Sequence, residues 1–412
     1  MKVLVIGRGG REHVIASCVK KSKLVDKVYV APGNGGMIKD FCLVAINEDE
    51  VDKLVNFALE KSIDLTIVGP ELSLSCGIVD AFNDKGLKIF GPTKKATKIE
   101  SSKEYAKDLM KKYGIPTAKY EVFSDYDLAV EYAETMSLPI VIKYDGLAAG
   151  KGVVIAHSMN EVCNTLKLML VDKVYGSSKV VIEEYLDGVE FSLMAMVNGS
   201  DVYAMEVSQD HKQLNDGDIG PNTGGMGAFS PVDIIDENVV LEAVESIMKP
   251  IAKAMDEEDT SFLGFLYGGL ILTEDGVKVI EFNARFGDPE AEVVLPRLES
   301  DLVEHVIDIM DKIEPKMVWS NNYIVGVVMA SKGYPESYEK NYLIEGDLEN
   351  VDHMGTRYND GYYTDGGRVL LVNGQGITLD DAISSSYKNV EKITCDNLMY
   401  RKDIGKRKRN DT

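Results

Sequence analysis

Two oxygen-bearing side chains near the end of an apolar stretch have the spacing of a divalent-metal site. In KVIEFNARFGDPE, residues 278–290, Glu281 and Asn283 are two positions apart, so on a strand both would lie on the same face. Carboxylate and amide oxygens placed in this way suit Mg²⁺ that is bound jointly with phosphates. Arg285 shares the face if the strand continues, and Asp288 follows in the turn. The open alternative is a structural role, in which salt bridges would have to pair the buried acids.

A glycine loop between two apolar strands predicts a site for a triphosphate. The segment KYDGLAAGKGV, residues 143–153, begins with Lys143 at a strand end and carries Lys151 among its glycines. Small residues let backbone amides approach phosphate oxygens, and the lysines provide positive charge. The spacing differs from that of a Walker loop, so no P-loop fold is predicted. A plain hairpin with solvated lysines is the alternative.

An acidic strand end further along the chain could hold a nucleoside. In VVIEEYLDGVEFS, residues 180–192, an apolar strand leads into Glu183 and Glu184, and Glu190 follows after a turn. Backbone groups here could bind an adenine edge, and one of the acids could bind ribose hydroxyls. Taken alone, the segment favours a solvated strand end, because acidic side chains are mostly exposed in proteins.

A long polar stretch rich in glycine, SQDHKQLNDGDIGPNTGGMGAFSP, covers residues 208–231 and is predicted to be a loop. Loops of this length inside compact domains are usually functional or disordered. Asp210, His211 and Lys212 are candidate titrating groups, and residues 222–227 could wrap around a substrate. An excursion over the surface is the alternative.

The motif GRGGREH, residues 7–13, lies where a buried strand turns into a helix, so backbone amides and the helix dipole could hold an anion. It differs from a dinucleotide fingerprint, because Glu12 stands where the third glycine would be and the second strand ends in Ala31 and Pro32 rather than in an acid. Binding of NAD is therefore not expected. A tight turn without a ligand remains open, and His13 is predicted to be a packing or capping residue.

The chain is predicted to fold as several domains of the α/β and α+β classes. The chain has 412 residues, more than one hydrophobic core usually organises, so two to four domains are expected. Residues 1–101 alternate apolar strands with helical patterns, which predicts an N-terminal parallel α/β domain with ligands at the carboxyl ends of its strands. Residues 102–323 are predicted to form a second domain, with a small lobe at about 120–190. Residues 324–412 are predicted to form a small C-terminal α/β domain.

Composition argues against several classes of partner. With 45 Lys and Arg against 67 Asp and Glu, the formal net charge of −22 opposes binding to nucleic acid or to anionic membranes. No apolar stretch approaches the roughly twenty residues that span a bilayer, and the glycine-rich start does not suit a signal peptide. A cytoplasmic location is expected. The five cysteines are far apart and include no CxxC pair, so they are expected to be reduced thiols.

Taken together in their order, the motifs resemble the glycinamide ribonucleotide synthetases, which are phosphoribosylamine-glycine ligases of the ATP-grasp superfamily. The resemblance rests on GRGGREH, VGPE at 68–71, KYDGLAAGKG, EEYLDGVE, SQDHK, GPNTGGMGAFSP, EFNARFGDPE and the closing RKDIG. It runs nearly from end to end, and GPNTGGMGAFSP together with EFNARFGDPE is its most specific part. The chain departs from the family pattern at Arg8, Tyr144 and Phe229, and Tyr144 could alter the affinity for nucleotide.

The resemblance implies a fold and a set of site residues. The fold would be an N-terminal α/β domain, a two-lobed ATP-grasp domain that clamps ATP, and a C-terminal domain. The implied ATP-binding residues are Lys103, Lys143, Gly150, Lys151, Gly152, Glu183, Glu184, Tyr185, Leu186 and Glu190. The implied substrate-binding residues are Gly9, Gly10, Glu71, Asn222, Thr223, Gly224, Gly225, Asp288 and Pro289. Glu281 and Asn283 would bind Mg²⁺ or Mn²⁺, and the implied catalytic residues are Arg285, Asp210 and Lys212.

The implied reaction joins glycine to 5-phosphoribosylamine with ATP, in de novo purine biosynthesis. Glycine would be phosphorylated to glycyl phosphate, which the amine would attack to give glycinamide ribonucleotide, ADP and phosphate. The enzyme is expected to be a monomer that acts on small molecules, without nucleic acid or membrane partners. Three alternatives remain open: an ATP-grasp ligase for another carboxylate, a NAD-binding oxidoreductase, and a nucleotide-binding regulator without turnover.

Overall fold

The N-terminal part of the chain is a five-stranded parallel sheet flanked by helices. The computed structural model describes residues 1–146, 152–174, 176 and 179–406. The elements of this part are β1 (Lys2–Gly7), α1 (Gly10–Lys21), β2 (Lys27–Pro32), β3 (Cys42–Leu43), α2 (Val51–Lys61), β4 (Leu65–Val68), α3 (Glu71–Ser75), α4 (Ile78–Asn83), β5 (Ile89–Phe90) and α5 (Lys98–Ser101). The strand order is β3-β2-β1-β4-β5, and Val3 to Ile6 of β1 are fully buried, as expected for a parallel sheet covered on both faces. The predicted parallel α/β architecture is confirmed.

A small antiparallel sheet follows and forms a separate lobe. Its elements are α6 (Lys103–Tyr113), β6 (Tyr120–Phe123), α7 (Tyr126–Glu134), β7 (Ile140–Tyr144), β8 (Val153–Ala156), α8 (Met159–Leu166) and β9 (Val180–Glu184). The strand order is β6-β9-β7-β8. Apolar residues of β7 and β9, including Ile140 and Ile182, pack with α7 and α8 in a core of their own. This separate core allows the lobe to pack as one unit.

The central part is built on a second antiparallel sheet, whose edge strand carries the candidate metal ligands Glu281 and Asn283. Its elements are β10 (Val189–Asn198), β11 (Asp201–Ala204), β12 (Gln209–Asp210), β13 (Gln213–Asn215), β14 (Ile219–Asn222), β15 (Gly227–Ser230), α9 (Glu237–Ala243), α10 (Lys249–Glu257), β16 (Leu263–Thr273), β17 (Gly276–Asn283), α11 (Ala291–Val294) and α12 (Leu302–Met310). The sheet has the order β11-β10-β16-β17. Nowhere in the described ranges is a helix long and apolar enough to cross a membrane.

The C-terminal part consists of two strands of 9 residues, several shorter strands and one long helix. Its elements are β18 (Tyr323–Ser331), β19 (Leu343–Gly346), β20 (Val351–His353), β21 (Thr356–Tyr358), β22 (Tyr362–Thr364), β23 (Arg368–Gly376), α13 (Leu379–Val390), β24 (Ile393–Thr394) and β25 (Leu398–Met399). One sheet runs β12-β15-β18-β23-β20, with β25 beside β18, and a smaller sheet runs β21-β22-β19-β24. Helix α13 packs on β23 and β18.

The stretch 208–231 is not the single long loop that the sequence predicts. Strands β12 and β15 join the C-terminal sheet through β18, while β13 and β14 form a separate hairpin. Strand β15 is buried along its whole length, so its pairing depends on a strand much later in the chain, which a local pattern does not reveal. The predicted boundaries at 101 and 323 fall at the end of α5 and the start of β18. Because β12 and β15 cross the second boundary, the division into domains stays a prediction.

The C-terminal part packs against the carboxyl ends of the N-terminal strands through close backbone contacts. The side-chain amide of Asn34 donates to the carbonyl oxygen of His353 at 2.6 Å. A Cβ at Gly36 would lie 2.0 Å from the ring of His353, so this approach requires glycine. Nδ1 of His13 accepts a hydrogen bond from the His353 amide and lies 3.2 Å from the carboxylate of Asp352. His13 therefore packs at the junction of the two parts.

Three buried aromatic rings join the N-terminal sheet to the central sheet. Phe265 of β16 stacks on Phe286, with ring centroids 3.7 Å apart, and it meets Phe90 of β5 edge-on at 4.9 Å. All three side chains belong to one hydrophobic cluster. Phe286 follows β17, so this stack also fixes the direction of the chain just after Glu281 and Asn283.

Replacing Phe286 with alanine should lower the free energy of unfolding by about 3–5 kcal/mol, because it leaves a cavity in a close-packed core. Phe286→Leu keeps much of the volume and should lose less than half as much. Denaturant titration followed by circular dichroism measures both values. A loss below about 1 kcal/mol for the alanine variant would show that the stack does not hold the sheets together.

Candidate active site

A cavity of about 1230 Å³ opens between the parts of the chain and brings most of the predicted site residues together. We call it the main cavity. The predicted residues that line it are Glu71, Lys103, Lys143, Gly152, Glu183, Glu184, Tyr185, Leu186, Glu190, Asp210, Lys212, Asn222, Thr223, Gly224, Glu281, Asn283, Arg285 and Asp288. Gly150 and Lys151, also predicted to bind ATP, lie outside the described residues. Motifs that are far apart in sequence thus face one space.

The remaining predicted substrate-binding residues lie in the walls or in a second cavity. Gly9 lines the second cavity, which is described below. A Cβ at Gly225 would lie 2.4 Å from Cδ of Pro289, and a Cβ at Gly10 would lie 2.4 Å from the carboxylate of Glu292. Gly10, Gly225 and Pro289 are buried, so their position supports close packing of the walls. Direct contact of these three residues with a substrate stays a prediction.

Glu183 lies between two buried lysines at the end of β9. Its Oε2 is 3.0 Å from Nζ of Lys107 and 3.0 Å from Nζ of Lys143, and none of the three side chains is more than 4% exposed. Burial lowers the pKa of Lys107 to about 8, although the charge of Glu183 opposes the shift. Among the described residues, the other oxygen of Glu183, Oε1, has no hydrogen-bond partner. It is a buried acceptor that a ligand could satisfy.

Lys107 was not predicted from the sequence, although a signal was present. It follows Lys103 by one turn on α6, and residues four apart share a helix face, so both lysines point to the cavity. Nζ of Lys103 donates to the carbonyl oxygen of Gly146 at 3.2 Å. Burial lowers the pKa of Lys103, and the charge of Glu281 is the main opposing effect.

Glu281 and Asn283 occupy alternate positions on β17, and both line the main cavity. Burial alone would raise the pKa of Glu281, but the charges of Lys103, Lys212 and Lys143 outweigh it and lower the pKa. Glu281 is therefore ionised at neutral pH. The described residues contain no group of three or more His, Cys, Asp or Glu that could hold a metal alone. An ionised carboxylate beside an amide nevertheless fits Mg²⁺, which takes one or two protein ligands and completes its shell with phosphates and water.

Arg285 connects the chain after β17 to two acids from earlier segments. Its Nε is 3.2 Å from Glu71 and its NH2 is 2.8 Å from Glu100, which also accepts a hydrogen bond from the amide of Ala284 at 2.8 Å. Burial would raise the pKa of Glu71, but Arg285 and Arg11 reverse the effect and lower it to about 2. At Glu100 burial dominates and raises the pKa. Glu100, which the motif analysis did not single out, is thus a buried support for Arg285.

Lys212 pairs with two acids in the main cavity. Its Nζ is 2.9 Å from Asp210 and 3.7 Å from Glu190. Burial would lower the pKa of Lys212, but Asp210 and neighbouring acids raise it well above its ordinary value. Glu290 is buried nearby, where the hydroxyl of Tyr267 donates to it at 2.9 Å and burial raises its pKa. Lys212 is therefore a stable cation, suited to binding a carboxylate or phosphate rather than to accepting a proton.

Two residues of the C-terminal part hold the glycine-rich segment after β14. NH1 of Arg368 donates to the carbonyl oxygens of Gly224 at 2.6 Å and Asp288 at 2.9 Å, and its NH2 is 2.9 Å from the carboxylate of Asp288. The hydroxyl of Tyr334 accepts a hydrogen bond from the amide of Gly224 at 2.9 Å. Arg368 and Tyr334 were not predicted, because neither belongs to a motif that indicates chemistry.

Glu12 occupies the helix N-terminus at which the sequence predicts a bound anion. The amide of Gly9 donates to Oε2 of Glu12 at 2.6 Å, and Nε of Arg11 is 2.6 Å from Oε1. Glu12 is buried, and a Cβ at Gly69 would lie 2.0 Å from the same carboxylate. The chain therefore supplies an anion of its own at this point. An external anion would have to bind beside this carboxylate rather than in its place.

A second cavity, of about 550 Å³, lies where the N-terminal loops meet the C-terminal strands. Asp288 and Arg368 line both cavities, so the two are adjacent. Besides Arg368, the cationic residues around the second cavity are Arg8, Lys340 and Arg357. Several glycines, including Gly9 and Gly35, bring backbone close to the same space. Cations and accessible backbone amides are the groups that bind phosphate.

Comparison with known families matches most of the chain to one family. The matching descriptions are phosphoribosylglycinamide synthetase N domain at residues 1–100, ATP-grasp (A) domain at residues 101–291 and C domain at residues 324–407. The three matches follow one another along the chain in the order expected of a single family.

Individual relatives agree with this match. The phosphoribosylamine–glycine ligase of Halalkalibacterium halodurans is 53% identical over 414 residues, which cover 98% of this chain and 96% of that protein. The crystal structure of the phosphoribosylamine–glycine ligase of Thermotoga maritima has a TM-score of 0.87 at 33% identity and covers 98% of this chain and 100% of that one. The biotin carboxylase domain of the Hydrogenobacter thermophilus 2-oxoglutarate carboxylase, in complex with MgADP, has a TM-score of 0.74 at 16% identity over 97% and 91% of the two chains. This last likeness is one of fold.

Replacing Glu183 with glutamine should lower the free energy of unfolding by about 3–5 kcal/mol, because two buried ammonium groups would lose the carboxylate that they share. Lys107→Met is the matched control: it leaves one lysine with one carboxylate and should cost less than half as much. Denaturant titration at pH 7 gives both values. Equal losses in the two variants would contradict the role of Glu183 as the common partner.

Proposed function

The chain belongs to the phosphoribosylglycinamide synthetase family, and from that membership we propose how its residues carry out the reaction. The reaction is the ATP-dependent ligation of glycine to phosphoribosylamine in purine biosynthesis, a carbon–nitrogen ligation. The observation that carries the proposal is the convergence in one cavity of the half-buried Lys103 and the buried Lys143 with Glu281 and Arg285. These groups can bind a triphosphate, a divalent cation and a carboxylate side by side.

ATP would lie between the small lobe and the central sheet, with its triphosphate beside Lys103 and Lys143. Oε1 of Glu183, which has no hydrogen-bond partner among the described residues, would accept a hydrogen bond from the exocyclic amine of adenine. Tyr185 is 44% exposed at the cavity, which leaves its ring free to cover the base. Glu190 is half exposed and suits the ribose hydroxyls. Leu186 and Glu184 line the same wall.

Enzymes of the ATP-grasp type use ATP with a divalent metal ion. Glu281 and Asn283 would hold this ion together with phosphate oxygens, because one is an ionised carboxylate and the other an amide on the same face of β17. When bound, the ion offsets the negative charge of the phosphates during phosphoryl transfer. Mg²⁺ and Mn²⁺ both suit oxygen ligands, and the choice between them stays a prediction.

A carboxylate is a poor acyl donor, and ATP removes this obstacle. A glycine carboxylate oxygen attacks the γ-phosphorus of ATP. The bond from this phosphorus to the oxygen that bridges it to the β-phosphate breaks, so ADP departs and glycyl phosphate forms. The amino group of phosphoribosylamine then attacks the acyl carbon, phosphate departs with the electrons of the carbon–oxygen bond, and the new amide loses a proton. Arg285 and Lys212 would bind the carboxylate and the acyl phosphate through charge, and Asp210 would orient Lys212 at 2.9 Å.

The second cavity would bind the phosphate end of phosphoribosylamine, since cations and backbone amides surround it. Asp288 lines both cavities, so it would lie beside the ribose as the amine reaches toward the main cavity. Asn222, Thr223 and Gly224 line the main cavity next to it, and Glu71 lies on the side of Arg285. A monomeric state and a cytoplasmic location stay predictions.

The reaction is tested by measuring ADP release from purified protein with Mg²⁺, ATP, glycine and freshly generated phosphoribosylamine, omitting one component at a time. ADP and glycinamide ribonucleotide should form in equal amounts only in the complete mixture. The same assay with bicarbonate or formate in place of glycine is the control. Release of ADP that depends on one of these carboxylates, and not on glycine, would overturn the substrate assignment.

Glu281→Gln should reduce turnover by roughly a hundredfold or more at saturating ATP, because the site loses the charged ligand of the metal. Asp275→Asn is the matched control, since this acid is 83% exposed in the turn that leads into the same strand. Circular dichroism should show that both variants keep the fold. Near-normal turnover of Glu281→Gln at saturating Mg²⁺ would reject the assigned role.

Lys340→Met should raise the KM for phosphoribosylamine roughly threefold to tenfold, the effect of losing one charged contact to phosphate. The KM values for ATP and glycine should stay within about twofold, because their proposed sites lie in the main cavity. Lys392→Met removes another half-exposed, ion-paired lysine of the C-terminal part and should leave all three values unchanged. An increase in the KM for ATP alone would place the nucleotide, rather than the ribose phosphate, at this cavity.

A further inference from the structure

The closing motif RKDIG, Arg401–Gly405, takes no part in the reaction described above, yet its first residue reaches the wall of the main cavity. Arg401 is 1% exposed. Its NH1 donates to the carbonyl oxygen of Gln213 at 2.9 Å, and its NH2 donates to Asp218 at 2.9 Å and to Asp403 at 2.8 Å. The guanidinium thus bridges the motif to the hairpin of β13 and β14.

Two further hydrogen bonds join the same two segments in opposite directions. The carboxylate of Asp403 accepts from the amide of Gly217 at 2.7 Å. The carboxylate of Asp216 accepts from the amide of Lys402 at 2.7 Å. Each segment therefore contributes donors and acceptors, and the contact fixes both the position and the direction of the hairpin turn.

Apart from these contacts, the hairpin packs against a hydrophobic cluster through Leu214, which is partly buried. Strands β13 and β14 pair only with each other in the described part of the chain, and none of the side chains from 213 to 222 is buried. A two-stranded hairpin with so small a hydrophobic contact is marginally stable in water. The polar contacts with Arg401 and Asp403 therefore add to the packing of Leu214 in fixing the hairpin beside the main cavity.

The motif itself is anchored to the C-terminal core. The hydroxyl of Tyr387 on α13 donates to the carbonyl oxygen of Arg401 at 2.8 Å and accepts from the amide of Ile404 at 3.0 Å. Ile404 is fully buried, and a Cβ at Gly227 would lie 2.8 Å from it. The hairpin is thus connected to a rigid element rather than to another loop.

We propose that RKDIG is a clasp that holds the β13–β14 hairpin as one wall of the main cavity, with Arg401 as a positioning residue for the substrate-binding groups at both ends of the hairpin. Lys212 immediately precedes the hairpin, and Asn222 ends it. Both residues line the main cavity. The inference rests on the substrate placement proposed above, because it assigns the hairpin to the glycine and phosphoribosylamine side of the cavity.

The test compares Asp218→Asn and Arg401→Lys with the wild-type protein by hydrogen exchange and by kinetics. Asp218 is half exposed, so its variant should fold normally, and lysine keeps the charge of Arg401 without its forked geometry. Amides at 213–222 should exchange several times faster in both variants, with exchange elsewhere unchanged. The KM for glycine or phosphoribosylamine should rise roughly threefold to tenfold, while the KM for ATP stays within about twofold.

Asp347→Asn is the matched control, because it neutralises another half-exposed aspartate that forms an ion pair in the C-terminal part. It should change neither exchange at 213–222 nor any KM. Unchanged exchange and KM in Asp218→Asn and Arg401→Lys would overturn the proposal, as would a lower melting temperature with unchanged KM values. A wild-type protein that forms no glycinamide ribonucleotide would instead overturn the assigned substrates, and the exchange data would still decide whether the clasp exists.

Discussion

The pairing of Arg285 with two acids is the interaction on which the arrangement of the site depends. Arg285 follows β17, whereas Glu71 begins α3 and Glu100 lies on α5, so one guanidinium brings three segments to the same wall. Glu100 is buried, so separating Arg285 from it would leave a buried charge without a partner, at a large cost in free energy. The strand that carries Glu281 is held against the N-terminal part as a result. The oxygens proposed to bind metal and the groups proposed to bind substrate therefore keep a fixed separation.

The protein is acidic but acts on anionic substrates, so the positive charge that attracts them has to be local. The net charge of −22 repels phosphates at long range, but salt screens such fields beyond about 10 Å at 0.1 M ionic strength. Inside the main cavity the nearest charges determine the local potential, and there Lys103, Lys107 and Lys143 line the side that is proposed to bind the nucleotide. Glu183 and Glu281 keep these lysines from repelling one another. The acids of the cavity thus reduce the repulsion among its cations, in addition to the ligand-binding roles that are proposed for them.

The sequence predicted those features whose causes are local. Continuous apolar runs revealed the parallel strands, and the alternation of Glu281 with Asn283 revealed a shared face, because both depend on neighbouring residues. The joining of β12 and β15 to β18 could not be predicted, since it depends on a partner far away in the chain. Glu100 and Arg368 were missed for the same reason: each acts through a distant residue. Within the candidate site, the motifs indicated which groups gather, and the tertiary structure added the groups that hold them.

The distance along the chain between the hairpin and its clasp has a consequence for synthesis on the ribosome. Arg401 follows Gln213 by 188 positions. At an elongation rate of about 5–20 residues per second, the nascent hairpin waits roughly 10–40 s before its partner is made. During that interval the N-terminal sheet and the small lobe can fold on local contacts, but the hairpin beside the main cavity lacks its hydrogen bonds to Arg401 and Asp403. If the clasp acts as proposed, a nascent chain whose residue 403 has not yet emerged from the ribosome should bind glycine or phosphoribosylamine more weakly than the finished protein.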